Sequence, residues 1–152
     1  GHLVLSTLHT NSAIGAFTRL RDIGIEPFLT ASTVVASLAQ RLVRGLCPHC
    51  KVLRPISDAE AALFDANGIA PPAEVADPVG CASCGDSGWR GRLPIIEMVE
   101  VDEPMREAIR DGSIASLDTE QSGPDTLAGH GLSLVAQHRT SIAEIRRVVD
   151  AG

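Results

Sequence analysis

Two cysteine pairs constrain the fold of this chain more than any other feature. They read Cys47-Pro48-His49-Cys50 and Cys81-Ala82-Ser83-Cys84, with thirty residues between Cys50 and Cys81. Each CxxC pair can bring two thiolate sulfurs to one ion, and two such pairs complete a tetrahedral four-sulfur site, which suits Zn²⁺. A site closed by four protein ligands leaves no position for a substrate, so the metal stabilises the fold and does not catalyse. We therefore predict structural zinc on Cys47, Cys50, Cys81 and Cys84.

Two disulfides or four free thiols are the alternatives for these cysteines. His49 could replace one cysteine as a ligand, although a histidine inside the loop of a knuckle usually points to solvent. The interval between the pairs exceeds the roughly 15–20 residues usual for this pattern, so we expect the insert to carry structure of its own. Gly85 and Gly88 would allow the sharp turn that follows the second pair.

Composition and charge narrow the class of protein. Of the 152 residues, 44% are hydrophobic and 21% charged, which is typical of a soluble globular chain of one domain or two small ones. The net charge of −6 and the pI near 5.3 argue against a nucleic-acid-binding module and against a polybasic membrane anchor. No apolar run is long enough to span a bilayer, and CxxC pairs without a secretion signal indicate a reducing compartment.

The first residues have the pattern of a strand followed by a ligand-binding loop. The apolar run Leu3-Val4-Leu5 predicts a buried strand of a mainly parallel sheet. The polar segment 6–11 follows, and in open α/β sheets such strand ends are where ligands bind. Because the chain opens directly into this run, we expect it to be a fragment of a longer protein.

Further along the chain, capping signals and apolar periodicity predict several helices and one hairpin. A first helix is expected over residues 12–23. A second is expected to begin at Pro27, with an apolar side formed by Phe28, Leu29, Val34, Val35 and Leu38. Residues 40–46 suit either a continuation of the second helix or a strand. We favour a strand that pairs with residues 92–99 in a hairpin whose loop is the cysteine module. Later helices are predicted to begin after Ser57, Asp102 and Ser141 and to cover residues 127–138, and Glu60 and Glu144 are expected to complete capping boxes.

Two longer stretches resemble a known family. They read GHLVLSTLHTN over residues 1–11 and LAQRLVRGLCPHC over residues 38–50, and the second CxxC pair and GWRGRLPIIE follow them. Together they resemble the C-terminal part of bacterial secretion ATPases of the type II general secretory pathway, and also the assembly ATPases of type IV pili. The resemblance implies an α/β fold, the C-terminal part of a RecA-like ATPase domain with an inserted four-cysteine zinc module and a C-terminal helical subdomain. It assigns residues 1–46 to the RecA-like core, 47–90 to the tetracysteine insert and 91–152 to a closing strand and the helical subdomain.

The same resemblance implies an activity for the longer parent protein. That parent would be a homo-hexamer at the cytoplasmic face of the inner membrane, docked on platform proteins of the secretion machinery and using ATP and Mg²⁺. It would bind no nucleic acid and insert no segment into the membrane. The resemblance assigns a catalytic role to His9, facing the γ-phosphate, and nucleotide contacts to Thr7 and Asn11. The phosphate-binding motif GxxxxGK[ST] lies upstream of this stretch in the family and does not occur in this sequence, so we expect the chain alone to be inactive.

Several alternatives remain open from the sequence. The type II secretion motor and the type IV pilus motor share these motifs. A zinc-binding interaction module without enzyme activity is the alternative from another class. Arg90 and Arg92 would bind phosphate, stack on the ring of Trp89, or lie on a solvated strand edge with one cation–π contact. Arg41 and Arg44 would line a subunit interface or face solvent.

Overall fold

The computed structural model describes residues 2–114 and 122–149. It separates into two compact units, one of residues 1–39 and 98–121 and the other of residues 40–97 and 122–152. The six helices of the described residues are α1 Gly15–Asp22, α2 Pro27–Thr33, α3 Asp58–Ala66, α4 Glu103–Asp111, α5 Leu127–Ala136 and α6 Ile142–Val149. The strands are β1 Ala36–Leu46, β2 Val52–Pro55, β3 Glu74–Asp77 and β4 Trp89–Glu100, and a 3₁₀ turn covers Ala82–Cys84. None of the described helices is long and apolar enough to cross a bilayer.

The first unit is built on three short helices. Helix α2 packs against α1 and α4. The carboxylate of Asp102 accepts a hydrogen bond from the amide of Met105 at 3.0 Å and so caps the start of α4. The hydroxyl of Ser12 accepts one from the amide of Gly15 at 2.9 Å and closes the turn just before α1, whose N-cap is Ile14. The buried core comprises Ile14, Phe17, Ala31, Val101, Ile109 and Ile114. The predicted helix starts at Pro27 and after Asp102 are therefore confirmed, whereas α1 begins at Gly15, three residues later than predicted.

The buried strand predicted at Leu3-Val4-Leu5 is wrong for this chain. These residues form no regular secondary structure, and their side chains are 83%, 77% and 89% exposed. A strand needs a neighbouring strand for its main-chain hydrogen bonds, and no strand within residues 2–114 and 122–149 pairs with this run. The apolar composition of the run predicted burial, but burial depends on partners that the run itself does not supply.

The apolar side predicted for the second helix is also wrong. Helix α2 ends at Thr33, and Val34 is already extended. The side chains of Phe28 and Leu29 are 67% and 51% exposed, whereas Thr30 and Ala31 are buried. Two β-branched valines in succession favour extended backbone over helix, which accounts for the early end of α2.

The predicted hairpin is confirmed, and both of its strands are longer than expected. Strands β1 and β4 pair in a two-stranded sheet. The amide of Val101 donates to the carbonyl of Val35 at 2.9 Å beyond one end, and the amide of Cys47 donates to the carbonyl of Gly88 at 2.9 Å at the other. The two strands therefore run in opposite directions, and the cysteine module occupies the connection between them.

The second unit combines the cysteine end of this hairpin with the last two helices. Helix α5 packs against α6 and against β3. A Cβ atom on Gly131 would lie 2.8 Å from Cδ1 of Ile145, so the missing side chain lets the two helices approach closely. The main buried apolar residues are Val43, Phe64, Val75, Ile95, Leu132, Leu134, Val135, Ile142 and Ile145. The helix predicted over residues 127–138 is confirmed.

The insert between the cysteine pairs carries its own small structure, as its length predicted. Strands β2 and β3 pair antiparallel in a register that joins Val52 to Asp77. Helix α3 begins as predicted, since the carboxylate of Glu60 accepts a hydrogen bond from the amide of Ser57 at 3.0 Å. The guanidinium of Arg54 on β2 bonds to Glu60 at 2.6 and 2.8 Å and to Asp77 at 2.6 Å, so one side chain links the helix to both strands.

Candidate metal centre

The structure brings the four cysteine sulfurs together. All four Sγ atoms lie within 4.8 Å of one another. The Sγ–Sγ distances are 4.0 Å for Cys47 and Cys81, 3.9 Å for Cys50 and Cys84, and 3.8 Å for Cys81 and Cys84. A disulfide requires about 2.05 Å, so no two of these cysteines are joined by a disulfide in this structure. A cluster of this kind can bind a metal ion.

Each cysteine pair is held in a tight main-chain turn. In the first turn, the carbonyl of Cys47 accepts hydrogen bonds from the amides of Cys50 at 3.4 Å and Lys51 at 3.1 Å. In the second, the carbonyl of Cys81 accepts from the amides of Cys84 and Asp86, both at 3.0 Å. These bonds point the two side chains of each pair to the same side, which is the local reason why a CxxC spacing forms half of a site.

Main-chain amides also point at the sulfurs. The amide of Gly80 donates to Sγ of Cys50 at 3.3 Å, and the amides of Cys81 and Gly88 donate to Sγ of Cys84 at 3.3 and 3.2 Å. Burial opposes ionisation of the Cys84 thiol, but these two amides, together with the neighbouring thiols of Cys50 and Cys81, outweigh it and lower its pKa to about 6. At Cys50 burial prevails over the single amide and raises the pKa to about 11. The site thus supplies hydrogen-bond donors where thiolate charge would develop.

Two of these donors are glycines because no other residue fits. Gly88 has φ +76°, and a Cβ there would lie 2.6 Å from Cβ of Pro78. Gly80 has φ +126°, and a Cβ would lie 2.6 Å from the carbonyl oxygen of Asp86. The carbonyl of Gly88 also accepts the amide of Cys47, so this glycine joins the two halves of the cluster. The turn predicted at Gly85 and Gly88 is confirmed, whereas Gly80 was missed because it precedes the cysteine pair.

His49 lies outside the cluster. Its side chain is exposed, and the group of candidate ligands within the described residues consists of the four cysteines. The structure therefore favours a four-sulfur set over one with a histidine ligand. His130 and His138 bond instead to main-chain groups, Nδ1 of His130 to Ile96 and Nε2 of His138 to the carbonyl of Glu74.

The ion-pairing role of one buried carboxylate on α6 was not recognised from the sequence. The side chain of Glu144 has no exposed surface. It accepts from the amide of Arg44 at 2.9 Å, from the guanidinium of Arg44 at 3.0 and 2.6 Å, and from that of Arg147 at 2.9 and 2.7 Å. Burial disfavours the charged form, but Arg147 and Arg44 together lower the pKa of Glu144 to about 2. Ser141 caps the amide of Glu144 at 3.2 Å, so the sequence pattern indicated the helix start correctly while the carboxylate has other partners.

The ring of Trp89 is covered by a different arginine from those predicted. The guanidinium carbon of Arg44 lies 4.2 Å from the ring centroid. The prediction of Arg90 or Arg92 relied on proximity in sequence, and neighbours along a strand point to opposite faces. Arg44 reaches the ring from the paired strand and continues to Glu144. It therefore has a structural role within this chain.

The predicted nucleotide residues lie in the first unit. Thr7, His9 and Asn11 are all exposed, in a segment without regular secondary structure before α1. The hydroxyl of Thr10 donates to the carbonyl of Ser12 at 3.1 Å, which orders the end of this segment next to the start of the helix. The catalytic role of His9 and the nucleotide contacts of Thr7 and Asn11 stay predictions, as does the division into three domains.

Comparison with known proteins gives consistent matches along the chain. Residues 1–147 match the family described as "Type II/IV secretion system protein". The chain is 47% identical over 150 residues to a type II secretion system protein E from Aeromonas hydrophila, covering 97% of this chain and 30% of that protein. It is 45% identical over 152 residues to one from Klebsiella pneumoniae, covering 99% and 30%. It is 42% identical over 153 residues to a type IV pilus assembly ATPase from Acinetobacter baylyi, covering 98% and 26%. The chain thus spans less than a third of the length of these relatives.

Proposed function

The chain belongs to the type II/IV secretion system protein family, and on that premise we propose that it is the C-terminal part of a motor ATPase that powers type II protein secretion. The observation that carries this proposal is the family match over residues 1–147, which includes both the His9 segment and the two cysteine pairs. In the longer protein, a phosphate loop outside this sequence would supply most of the binding to ATP and Mg²⁺, and Thr7, His9 and Asn11 would face the nucleotide. The chain would contribute one structural metal site and one segment next to the nucleotide.

The metal that fits the cluster best is Zn²⁺. Four sulfurs at about 2.3 Å from a tetrahedral zinc lie about 3.8 Å apart. Three of the Sγ–Sγ distances in the cluster, 3.8, 3.9 and 4.0 Å, agree with that edge length. With four thiolates the site would carry a net negative charge, and the amides of Gly80, Cys81 and Gly88 point at the sulfurs that hold it. Zinc would hold the insert between the strands of the hairpin.

The exposed run at the start of the chain supports a larger parent fold. Leu3, Val4 and Leu5 expose most of their side-chain surface, which is costly for three successive apolar residues. In the longer protein we propose, the polar segment that follows this run would face the nucleotide. His9 lies in that segment, where an imidazole can donate to a phosphate oxygen or hold the attacking water.

Replacing His9 in the full-length protein tests this proposal. The His9→Ala variant should bind ATP nearly as well as the wild type, because the upstream phosphate loop would supply most of the affinity. Its turnover should fall on the order of 10²-fold, as expected when one well-aimed hydrogen bond in the transition state is lost. Phosphate release by the purified oligomer and equilibrium binding of a fluorescent nucleotide measure the two quantities separately.

A second histidine provides a matched control. His49→Ala removes the same side chain from an exposed position in the first cysteine turn and should leave turnover unchanged. Unchanged turnover in His9→Ala would contradict the catalytic assignment. Absence of ATP hydrolysis in the wild-type full-length protein would favour the alternative, a zinc-binding interaction module without enzyme activity.

The type IV pilus motor is the second candidate, since the relative from Acinetobacter baylyi is 42% identical. In either case we expect a homo-hexamer that docks on platform proteins at the cytoplasmic face of the inner membrane. Deletion of the gene separates the two candidates. Loss of an exported enzyme from the culture medium with intact pili indicates the secretion motor, and loss of pili with normal export indicates the pilus motor.

A further inference from the structure

The turn between α5 and α6, residues 137–141, lies against both sides of the first cysteine pair. The carbonyl of Arg139 accepts the amide of Leu46, the residue before Cys47, at 2.8 Å. The carbonyl of His138 accepts the ammonium of Lys51, the residue after Cys50, at 2.7 Å. We call residues 137–141 the α5–α6 turn. It is more than eighty residues away from the cysteine pair in sequence and yet bonds to the residues on both of its flanks.

Two further contacts hold this arrangement in place. The hydroxyl of Thr140, which is fully buried, donates to the carbonyl of Arg44 at 2.9 Å. The carboxylate of Glu144, one turn later, accepts the amide of the same Arg44 at 2.9 Å. Arg44 lies three residues before the first cysteine, and both its amide and its carbonyl are therefore bonded to the segment that begins α6.

The α5–α6 turn is itself fixed by the end of α5. His138 has φ +55°, and its amide donates to the carbonyl of Val135 at 2.8 Å. The amide of Arg139 donates to the carbonyl of Leu134 at 3.0 Å. These bonds close the last turn of the helix and leave the carbonyls of residues 138 and 139 to accept Lys51 and Leu46. A positive φ at a residue other than glycine is uncommon and persists where surrounding contacts require it.

We propose that the α5–α6 turn positions the first cysteine pair for metal binding, with Lys51 as the positioning residue that carries the contact. This inference rests on the metal site of the proposed function. A cysteine pair binds metal tightly only if its two sulfurs are held at the correct separation, and residues that orient ligands typically change metal affinity 10–100-fold when they are replaced. Lys51 directly follows a ligand, and its ammonium makes a charge-assisted bond to a main-chain carbonyl on a packed helix end.

Measuring zinc affinity in the 152-residue chain tests the role of Lys51. Lys51→Met keeps the length and apolar stem of the side chain and removes the ammonium. We expect its zinc affinity, measured by competition with a chromogenic chelator, to fall about tenfold. Lys51→Arg keeps a cationic donor that reaches the same carbonyl and should restore affinity close to that of the wild type. Arg92→Met removes one positive charge from an exposed position of β4 and should have no effect.

A second measurement needs no variant. Lys51 is the only lysine in the sequence, so an amine reagent labels this side chain and the N-terminus, which peptide mass separates. Because binding free energies are reciprocal, a turn that stabilises bound metal is itself held by the metal. Removal of zinc with a chelator should therefore raise the labelling rate of Lys51 severalfold, while the rate at the N-terminus stays constant.

The outcomes separate this inference from the metal site itself. A wild-type chain that binds no zinc would overturn the proposed site and the inference with it. The positioning role alone would be overturned if the wild-type chain binds zinc, the Lys51→Met variant binds it with equal affinity, and the labelling rate of Lys51 is the same with and without zinc. Circular dichroism of the zinc-loaded variants shows whether a loss of affinity reflects the site or general unfolding.

Discussion

Replacing Glu144 with glutamine should destabilise the chain strongly, because the change removes a charge and keeps the shape. The carboxylate has no exposed surface and accepts hydrogen bonds from Arg44 and Arg147. Its pKa lies at about 2 instead of the ordinary 4.5. Since each tenfold change in an acid constant corresponds to about 1.4 kcal/mol, ionisation of this group stabilises the fold by about 3 kcal/mol.

The loss of stability in the Glu144→Gln variant should be somewhat smaller than this value, because the two arginine partners can rearrange. Their side chains are 45% and 57% exposed, so both can turn towards water and need not stay unpaired beside an amide. We therefore expect Glu144→Gln to lower the free energy of unfolding at pH 7 by about 2–3 kcal/mol. Urea denaturation of the zinc-loaded chain, followed by tryptophan fluorescence, measures this difference. Trp89 lies under the Arg44 guanidinium and reports directly on this region.

The pH dependence provides an independent check of the same reasoning. A carboxyl whose pKa is lowered in the folded state contributes its full stabilisation above the pKa of the unfolded chain, and loses it as the pH falls towards the folded value. The difference between wild type and Glu144→Gln should thus be constant above about pH 5 and shrink between pH 4.5 and 2. Glu107→Gln, at an exposed position of α4, is the matched control and should change stability little. Equal stability of Glu144→Gln and the control at pH 7 would refute the argument.

Three further outcomes are expected. Gly88→Ala should weaken zinc binding at least tenfold in a chelator competition. The added Cβ would lie 2.6 Å from Cβ of Pro78, at a residue with φ +76°, and would disturb the amide that points at Cys84. Unchanged affinity would contradict the predicted backbone strain. Phe64→Ala should lower the unfolding free energy by about 3 kcal/mol in urea denaturation, since this ring is fully buried; a change below about 1 kcal/mol would show that the insert is loosely packed. The 152-residue chain should release no phosphate from ATP above the buffer control, and zinc-independent turnover would contradict the view that the phosphate loop lies elsewhere.

The features that the sequence predicted well depend on local chemistry. The cysteine cluster follows from two short spacings that close on themselves through main-chain turns, as the carbonyls of Cys47 and Cys81 show. Helix starts at Ser57 and Asp102 follow from side chains that bond within three residues. Within each cysteine pair and at each of these helix starts, the partner lies within the same short stretch, so the pattern contains that interaction.

The features that the sequence missed depend on distant partners. In the sequence, Glu144 fits the capping-box pattern as well as Glu60 does. The partner that distinguishes the role of Glu144 is Arg44, which is one hundred residues away. Strands β2 and β3 have four residues each, too few for an alternating pattern to be recognised. The run Leu3-Val4-Leu5 has the composition of a buried strand, but burial would require neighbouring strands to pair with it, and its residues are exposed. Sequence patterns thus predicted contacts along the chain better than contacts between elements.

The most direct test of this account is the metal content and coordination of the chain purified without added metal. Elemental analysis should give about one zinc per chain, and X-ray absorption at the zinc edge should show four sulfur neighbours at about 2.3 Å. Cys47→Ser should reduce the zinc content and loosen the insert more than the rest of the chain, as local hydrogen exchange would show, because metal binding and folding are coupled. A folded, metal-free chain with two disulfides would contradict the account, and so would a zinc shell in which a nitrogen from His49 replaces one sulfur.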